Sequence, residues 1–321
     1  MILLVKDSDE NGGVLMAKGN LLKGYFGLFT HYLYGVHGNT DWIGNTNALD
    51  IPAIAARIAE TGASYYCITM MQGTRHMLAP NATYDKIAGT VPGEACALRD
   101  IPLELGTELK KYGIDLYLYY TGDGPHKDKT IAPRFDIPED RHDGMGRAFV
   151  EKWADVLREY SLRYGDLVKG WWIDGCYDYF GYDNELLSLY ESAIKAGNPD
   201  AMVALNGGVA EHGIAKYYQN EDFTCGERVD FDFVPEVGMI DGSQAHMLIP
   251  LGLPPEGDNN WNSWCMPGVK HDAAYLADYM RRLRNVGCAL TIDVVIYPDG
   301  VFDPVQIETL RKVSAILAAN T

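Results

Sequence analysis

No run of apolar residues in this chain of 321 approaches the ~20 that a membrane-spanning helix needs, so a helical membrane protein is excluded. The opening residues 1–7 hold too short an apolar stretch for a secretory signal, and a cytoplasmic, soluble protein is expected. Basic residues are scarce, with 27 Lys and Arg against 44 Asp and Glu and a net charge of −17. A polyanion would be repelled by such a surface, so no nucleic-acid partner is expected. Six cysteines lie far apart, with no CxxC pair and no close Cys/His spacing. Neither a zinc site nor a disulfide framework fits, so buried free thiols, no metal and no cofactor are expected. Internal repeats, low-complexity tracts and linkers are lacking too, which favours one domain over 1–321. Nothing specifies an oligomeric state.

What the chain does contain is an alternation of apolar, aromatic-rich runs with longer stretches of helical period, the signature of stacked βα units around a parallel sheet. Strands are predicted at 25–35, 64–70, 114–120, 169–174, 201–206, 229–234, 245–251 and 287–296. Helices are predicted from Asp50, a capping residue with Pro52 behind it, to Glu60, and over 145–164, 184–195, 271–285 and 304–319. The clearest is 145–164, with Phe149, Trp153, Val156, Leu157 and Tyr160 at core-facing spacing. The predicted fold is therefore an α/β, TIM-type (β/α)₈ barrel, irregular over 207–262 where the pattern blurs. Two long loops, 72–99 and 121–143, are expected to cover a binding face or to carry small elements of their own.

In such a barrel the chemistry gathers at the C-terminal ends of the strands. Candidates there are His31, the Met70-Met71-Gln72 run, residues 119–123, Asp174, Asn206, Glu227, Glu236, Gln244, His246 and Asp293. Asp174 stands apart, because Trp171, Trp172 and Ile173 precede it on a strand that should be buried on both faces, and Gly175 lets the chain turn after it. An Asp-Gly pair also suits a plain turn or helix cap. Aromatic residues crowd the same rim: Trp42, Tyr119, Tyr120, Trp171, Tyr177, Tyr179, Trp261 and Trp264. Sugar rings pack their C–H faces on aromatic rings, so this clustering fits a glycan cleft, although core packing is the usual fate of a barrel aromatic.

Several of these segments resemble the α-L-fucosidases of glycoside hydrolase family 29. Tyr25-Phe26-Gly27-Leu28-Phe29-Thr30-His31-Tyr32 is similar to the family's opening W-F-G-L-F-I-H-W-G, which carries a sugar-contacting His. Glu60-Thr61-Gly62-Ala63-Ser64-Tyr65-Tyr66-Cys67-Ile68-Thr69 resembles E-A-G-A-K-Y-V-V-L-T. Trp171-Trp172-Ile173-Asp174-Gly175 is similar to W-F-D-G, whose Asp is the nucleophile. Residues 197–199 and 204–206 resemble the next helix end and strand, and 287–300 resembles the closing G-x-L-L-L-N-x-x-P-x-x-D-G. The similarity runs in order from about 25 to 316, which marks a distant relative. It implies a (β/α)₈ barrel, an oligosaccharide or glycoside substrate, and Asp174 as the nucleophile.

The departures are informative. Where the family carries K-H-H-D-G-F, whose histidines hold fucose hydroxyls, this chain has Met70-Met71-Gln72-Gly73, and His76 is the nearest replacement. Asp222-Phe223-Thr224-Cys225-Gly226-Glu227 resembles D-Y-x-T-P-E, which would bring Glu227 into the site as acid/base. Ser243-Gln244-Ala245-His246-Met247-Leu248 resembles a W-E-T-C-M-T segment, with Gln244 in place of its Glu. Glu236, after the 231–235 run, is the alternative acid/base on strand-end grounds. No counterpart of the family's frequent C-terminal β-sandwich is expected.

The function this implies is a retaining exo-glycosidase with Asp174 as nucleophile and Glu227 or Glu236 as acid/base. His31, Trp42, Gln72, His76, Tyr119, Trp172, Asn206, Gln244, His246 and Trp264 are the expected sugar-binding residues. Two rivals stand beside it: an inactive glycan-binding barrel, suggested by the missing His pair, and a barrel lyase or isomerase. The second would want a strand-end Lys or a metal; Lys169 stands at the start of its strand, and nothing in the spacing of His31, Asp123, Asp174 and His246 singles out an ion site.

Overall fold

The computed structural model describes residues 21–209 and 213–319, so the opening segment 1–7 lies outside the described residues. In chain order the elements are β1 (Gly27–Thr30), α1 (Trp42–Ala48), α2 (Ile51–Glu60), β2 (Tyr65–Thr69), α3 (Ala82–Ala88), α4 (Ile101–Lys110), β3 (Asp115–Thr121), α5 (Arg147–Tyr164) and β4 (Val168–Asp174). There follow α6 (Asn184–Gly197), β5 (Met202–Leu205), the short hairpin β6 (Met239–Ile240) and β7 (Ser243–Gln244), β8 (His246–Pro250), α7 (Ala273–Val286), β9 (Ala289–Asp293) and α8 (Pro304–Ala318).

Local chemistry explains most boundaries. Asp50, Asp100, Asp183, Asp272 and Asp303 each cap a helix by accepting a backbone N–H of its first turn. Proline in the first turn of α2, α4 and α8 donates nothing where no partner exists anyway. The loop 72–99 holds α3, one of the small elements its length suggested. On α5 the spaced residues Phe149, Trp153, Val156, Leu157 and Tyr160 are all buried, each contributing roughly 1.5–3 kcal/mol of burial free energy.

Seven strands form one parallel sheet in the order β5-β4-β3-β2-β1-β9-β8. The sheet curls as a barrel does, but eight regular strands do not close it. The predicted strand at 229–234 is not formed. Its place is taken by the preceding stretch 222–228, which lies irregularly between the two sheet edges. Asp222 N–H donates to the Val203 carbonyl of β5 at 2.8 Å, while Leu248 N–H of β8 donates to the Gly226 carbonyl at 3.1 Å and Arg228 N–H to the Leu248 carbonyl at 3.0 Å.

Gly226 is the reason this stretch can approach β8 so closely. Its φ of +57° is left-handed, and a Cβ there would stand 1.9 Å from the His246 carbonyl oxygen. Beyond Arg228 the chain leaves the sheet. Phe231 packs into the core and the Asp230 carboxylate is held by His271 at 2.7 Å and Asn260 at 2.7 Å, a loop arrangement whose alternating residues imitated a strand.

The core has two compartments. One lies between the sheet and its outer helices, and the other fills the barrel interior with Phe29, Tyr65, Cys67, Tyr117, Trp172 and Leu248. Near the N-terminal end of the strands the interior keeps an apolar cavity of about 20 Å³, room for one water at most. Five of the six cysteines are buried and Cys265 is partly exposed, all of them free. No helix among the described residues is long and apolar enough to cross a membrane.

Candidate active site

Four strand ends and one irregular stretch deliver polar groups to the same face of the sheet. Asp174 ends β4, and Gly175 turns the chain behind it at φ +71°, where a Cβ would press within 2.8 Å of the Asp123 carboxyl carbon. Asn206 follows β5, Asp293 ends β9, and His31 follows β1. Glu227 comes from the stretch that replaces a regular strand.

Asn206 organises the centre. Its side-chain oxygen accepts from Gly208 N–H at 3.0 Å, which turns the amide nitrogen toward the carboxylates. That nitrogen donates to Asp174 Oδ1 at 2.9 Å and to Glu227 Oε2 at 2.8 Å. Two bonds ending on one nitrogen hold these oxygens nearer together than the ~6.5–9.5 Å of an inverting pair, and admit the ~5–5.5 Å of a retaining pair.

The other Asp174 oxygen faces a short relay. Gln72 Nε2 donates to Tyr119 Oη at 2.9 Å, and Tyr119 Oη donates to Asp174 Oδ2 at 2.5 Å. Gln72 also approaches Oδ2 directly at 3.5 Å, and Tyr177 Oη approaches Oδ1 at 3.5 Å. Tyr119 stacks on Trp172 at 5.4 Å between ring centroids, so the relay rests on a rigid aromatic floor. Burial and then the Asp174 charge hold the Tyr119 phenol well above its ordinary value, so it remains a donor.

The Glu227 carboxyl is pushed up to about 7, first by burial and then by the negative Asp174 beside it, against the pull of the Asn206 bond and the His31 charge. An acid that keeps its proton near neutral pH therefore stands beside a second carboxyl that shares its hydrogen-bond donor. His31 borders the same space. Its Nδ1 bonds Asp293 Oδ1 at 2.9 Å, and its ring meets Trp264 edge-on at 5.8 Å. Burial opposes charge on His31, yet neighbouring Cys265 and Asp293 outweigh it and raise the imidazole well above its usual range.

The structure thus brings Asp174, Glu227, His31, Gln72, Tyr119, Trp172, Asn206 and Trp264 to one end of the barrel. Other predicted residues lie elsewhere. His246 opens β8 and Gln244 closes β7 just before it, both at the end of the sheet opposite Asp174. His246 is sealed inside by Thr224 O at 2.9 Å and Thr291 Oγ1 at 2.6 Å, while Gln244 bonds the backbone oxygens of Gly238 and Gly287. Trp42 is buried against Tyr32 and donates to the Met77 carbonyl at 3.0 Å. His76 stacks on Tyr34 at 3.7 Å, and burial followed by the Arg75 charge lowers it to about 4. Glu236 is solvent-exposed in the loop before β6. Among the described residues no group of three or more His, Cys, Asp or Glu is placed to hold a metal ion.

Cys265 was not singled out by the sequence. Its N–H donates to Asp293 Oδ2 at 3.3 Å, which fixes the second oxygen of the carboxylate that orients His31. Its loop carries no periodic signal, and the left-handed φ of +58° could not be foreseen for a cysteine.

No family model and no curated protein sequence matches the chain. Solved structures do. An endo-fucoidan hydrolase of glycoside hydrolase family 107, MfFcnA4, aligns with a TM-score of 0.72 at 15% identity, covering 91% of this chain and 52% of that one. A second, P5AFcnA of the same family, aligns at 0.66 and 16% identity, covering 93% and 92%. The α-L-fucosidase AlfC from Lactobacillus casei aligns at 0.64 and 16% identity, covering 95% and 98%. The chain spans 52% and 62% of the first two family 107 structures it matches. At these identities the likeness is one of fold.

Proposed function

We propose that the chain is a retaining exo-glycosidase acting on α-L-fucosides or closely related sugars, with Asp174 as nucleophile and Glu227 as acid/base. The observation that carries this reading is the single amide of Asn206 bonded to both carboxyls. The fold shared with fucoside-cleaving enzymes supports the sugar class.

In the first step an Asp174 oxygen attacks the anomeric carbon while Glu227 gives its proton to the departing glycosidic oxygen, leaving a glycosyl ester on Asp174. In the second, Glu227 takes a proton from water, the water oxygen attacks the same carbon, and the ester bond breaks to free Asp174. Asn206 is a positioning residue, screening the two carboxyls from each other and fixing their separation. His31, held by Asp293, and Gln72 are placed to bond sugar hydroxyls where the fucosidases use a His pair. Glu236, exposed and outside this cluster, is not assigned a role.

The test is turnover of α-L-fucosyl substrates by the wild type, Asp174→Asn and Glu227→Gln, with the anomer of the product followed by NMR. First-formed α-product, lost in Asp174→Asn, supports the reading. Full activity in Asp174→Asn, or first-formed β-product in the wild type, overturns it.

A further inference from the structure

Immediately after the nucleophile, the chain builds an aromatic step that the two-carboxylate chemistry does not use. Tyr177, within 3.5 Å of Asp174 Oδ1 through its hydroxyl, lies nearly parallel to Tyr179, at 5.1 Å between ring centroids and 26° between planes. His142 continues outward from Tyr179 at 5.9 Å and 20°. At such separations near-parallel rings overlap only at their edges, so they form a stepped shelf rather than a closed stack.

Core packing does not account for Tyr179. It remains 57% exposed, and its hydroxyl makes no hydrogen bond among the described residues. Its neighbour Phe180 supplies the anchor instead, being 3% exposed beneath the Arg141 guanidinium, which lies 4.3 Å from its ring centre. The shelf is also stiff. Arg141 is ion-paired to the buried Asp123, whose carboxyl backs Gly175, and Met145 N–H donates to the Phe180 carbonyl at 2.7 Å. The turn carrying His142 and the turn carrying Tyr179 are thereby locked together, next to the residue that would attack the sugar.

We infer that Tyr177, Tyr179 and His142 form a subsite for the leaving-group side of an oligosaccharide, taking a second pyranose ring by its C–H face. The inference rests on the glycosidase reading above and deepens it. Continuity with the carboxylate pair identifies the occupant. Tyr177 Oη approaches Asp174 Oδ1, the same oxygen that shares the Asn206 amide with Glu227, so the shelf begins on the Glu227 side of the carboxyl pair, where the departing oxygen would be protonated. A sugar joined through that oxygen leaves the pocket over Tyr179. Flat apolar ring faces edged by a phenol and an imidazole match a pyranose, with its C–H patch and equatorial hydroxyls.

The experiment compares two substrates that share the sugar attacked and differ in what leaves: α-L-fucosyl fluoride, whose fluoride cannot reach the shelf, and the disaccharide Fucα(1,6)GlcNAc. The expected result for Tyr179→Ala is a preference for the disaccharide over the fluoride, in kcat/KM, reduced about tenfold and carried by KM, with Tyr179→Phe and Tyr179→Trp restoring it. An equal loss on both substrates, or no change in their ratio, overturns the shelf while leaving the glycosidase reading intact. A wild type that cleaves neither substrate overturns both. Thermal unfolding of Tyr179→Ala is expected to match the wild type, since the side chain contributes little buried area.

Discussion

Two histidines, one at each end of the same barrel, show how position rather than residue type decides chemistry. His31, at the C-terminal end, meets a carboxylate and carries a raised pKa despite its burial. His246, at the N-terminal end, meets a carbonyl and a hydroxyl, and burial lowers it to about 4. Layer by layer the interior changes from Cys67, Tyr117 and Leu248 around a small apolar cavity to Asp174, Asn206 and Glu227 at the mouth. One end is built to stay packed and the other to hold charge, so changes at the mouth should cost activity and changes below should cost stability.

The sharpest test of that division is Asp174→Asn, expected to lower kcat by about 10⁴-fold while the melting temperature holds or rises, because a negative charge held beside a second buried carboxyl is gone. Glu227→Gln should cost about 10²–10⁴-fold in kcat/KM on glycosides whose leaving group needs a proton, and far less in kcat/KM on fucosyl fluoride, whose departure needs none. With Glu227 as the proposed acid its protonated form is the active one, so activity should fall as pH rises through about 7, and this limb should vanish in Glu227→Gln.

At the lower layer, His246→Leu should destabilise the protein by roughly 1–3 kcal/mol at pH 7 through lost buried hydrogen bonds, with activity retained in the folded fraction. Because His246 is neutral in the fold down to about 4, its contribution is complete above pH ~6.5 and drains away as pH falls toward 4. The wild type should lose about 3 kcal/mol there, and denaturant titrations of the variant should show a flatter acid side. His31 has the opposite sign: its contribution is present below pH ~6.5 and lost as pH rises through its elevated folded value, so His31→Gln should flatten the alkaline side. The smallest effect is expected for Asn206→Ala, about tenfold in kcat/KM, with the basic limb moved to higher pH because a donor that favours ionised Glu227 has been removed. An unmoved limb would reduce Asn206 to a structural role.

What the sequence made legible follows the same division. Strands β2 to β4 lie where the residues predicted them, as do α2 and α5 to α8, whose caps and periods are local signals; β1 is only the middle of the run 25–35, α1 and α4 were not foreseen, and Asp174 was readable from a buried strand cut short by Gly175. Within 207–262 the strand predicted at 245–251 forms as β8, whereas the one predicted at 229–234 does not, for a physical reason. The stretch 222–228 is held by a few backbone bonds to the edges of two distant strands, and no side-chain period marks such a role. The apolar alternation at 229–234 was the stronger signal, although it belongs to a loop fastened by Asp230. Gln244 and His246 were expected at the mouth because 243–248 resembles a fucosidase segment with a site Glu, whereas the pairing of His246 with Ala289 at the start of β9 sets it, and Gln244 before it, at the opposite end.

Gly226 gives the barrel an adjustable part. The regular strands fix Asp174, whereas Glu227, the proposed proton donor, rides on a tether whose closeness to β8 depends on a hydrogen atom standing where other residues carry a side-chain carbon. Evolution could thus retune the gap between the two oxygens, and with it the handedness of the product, by editing one residue of that tether while the scaffold beneath stayed as it was.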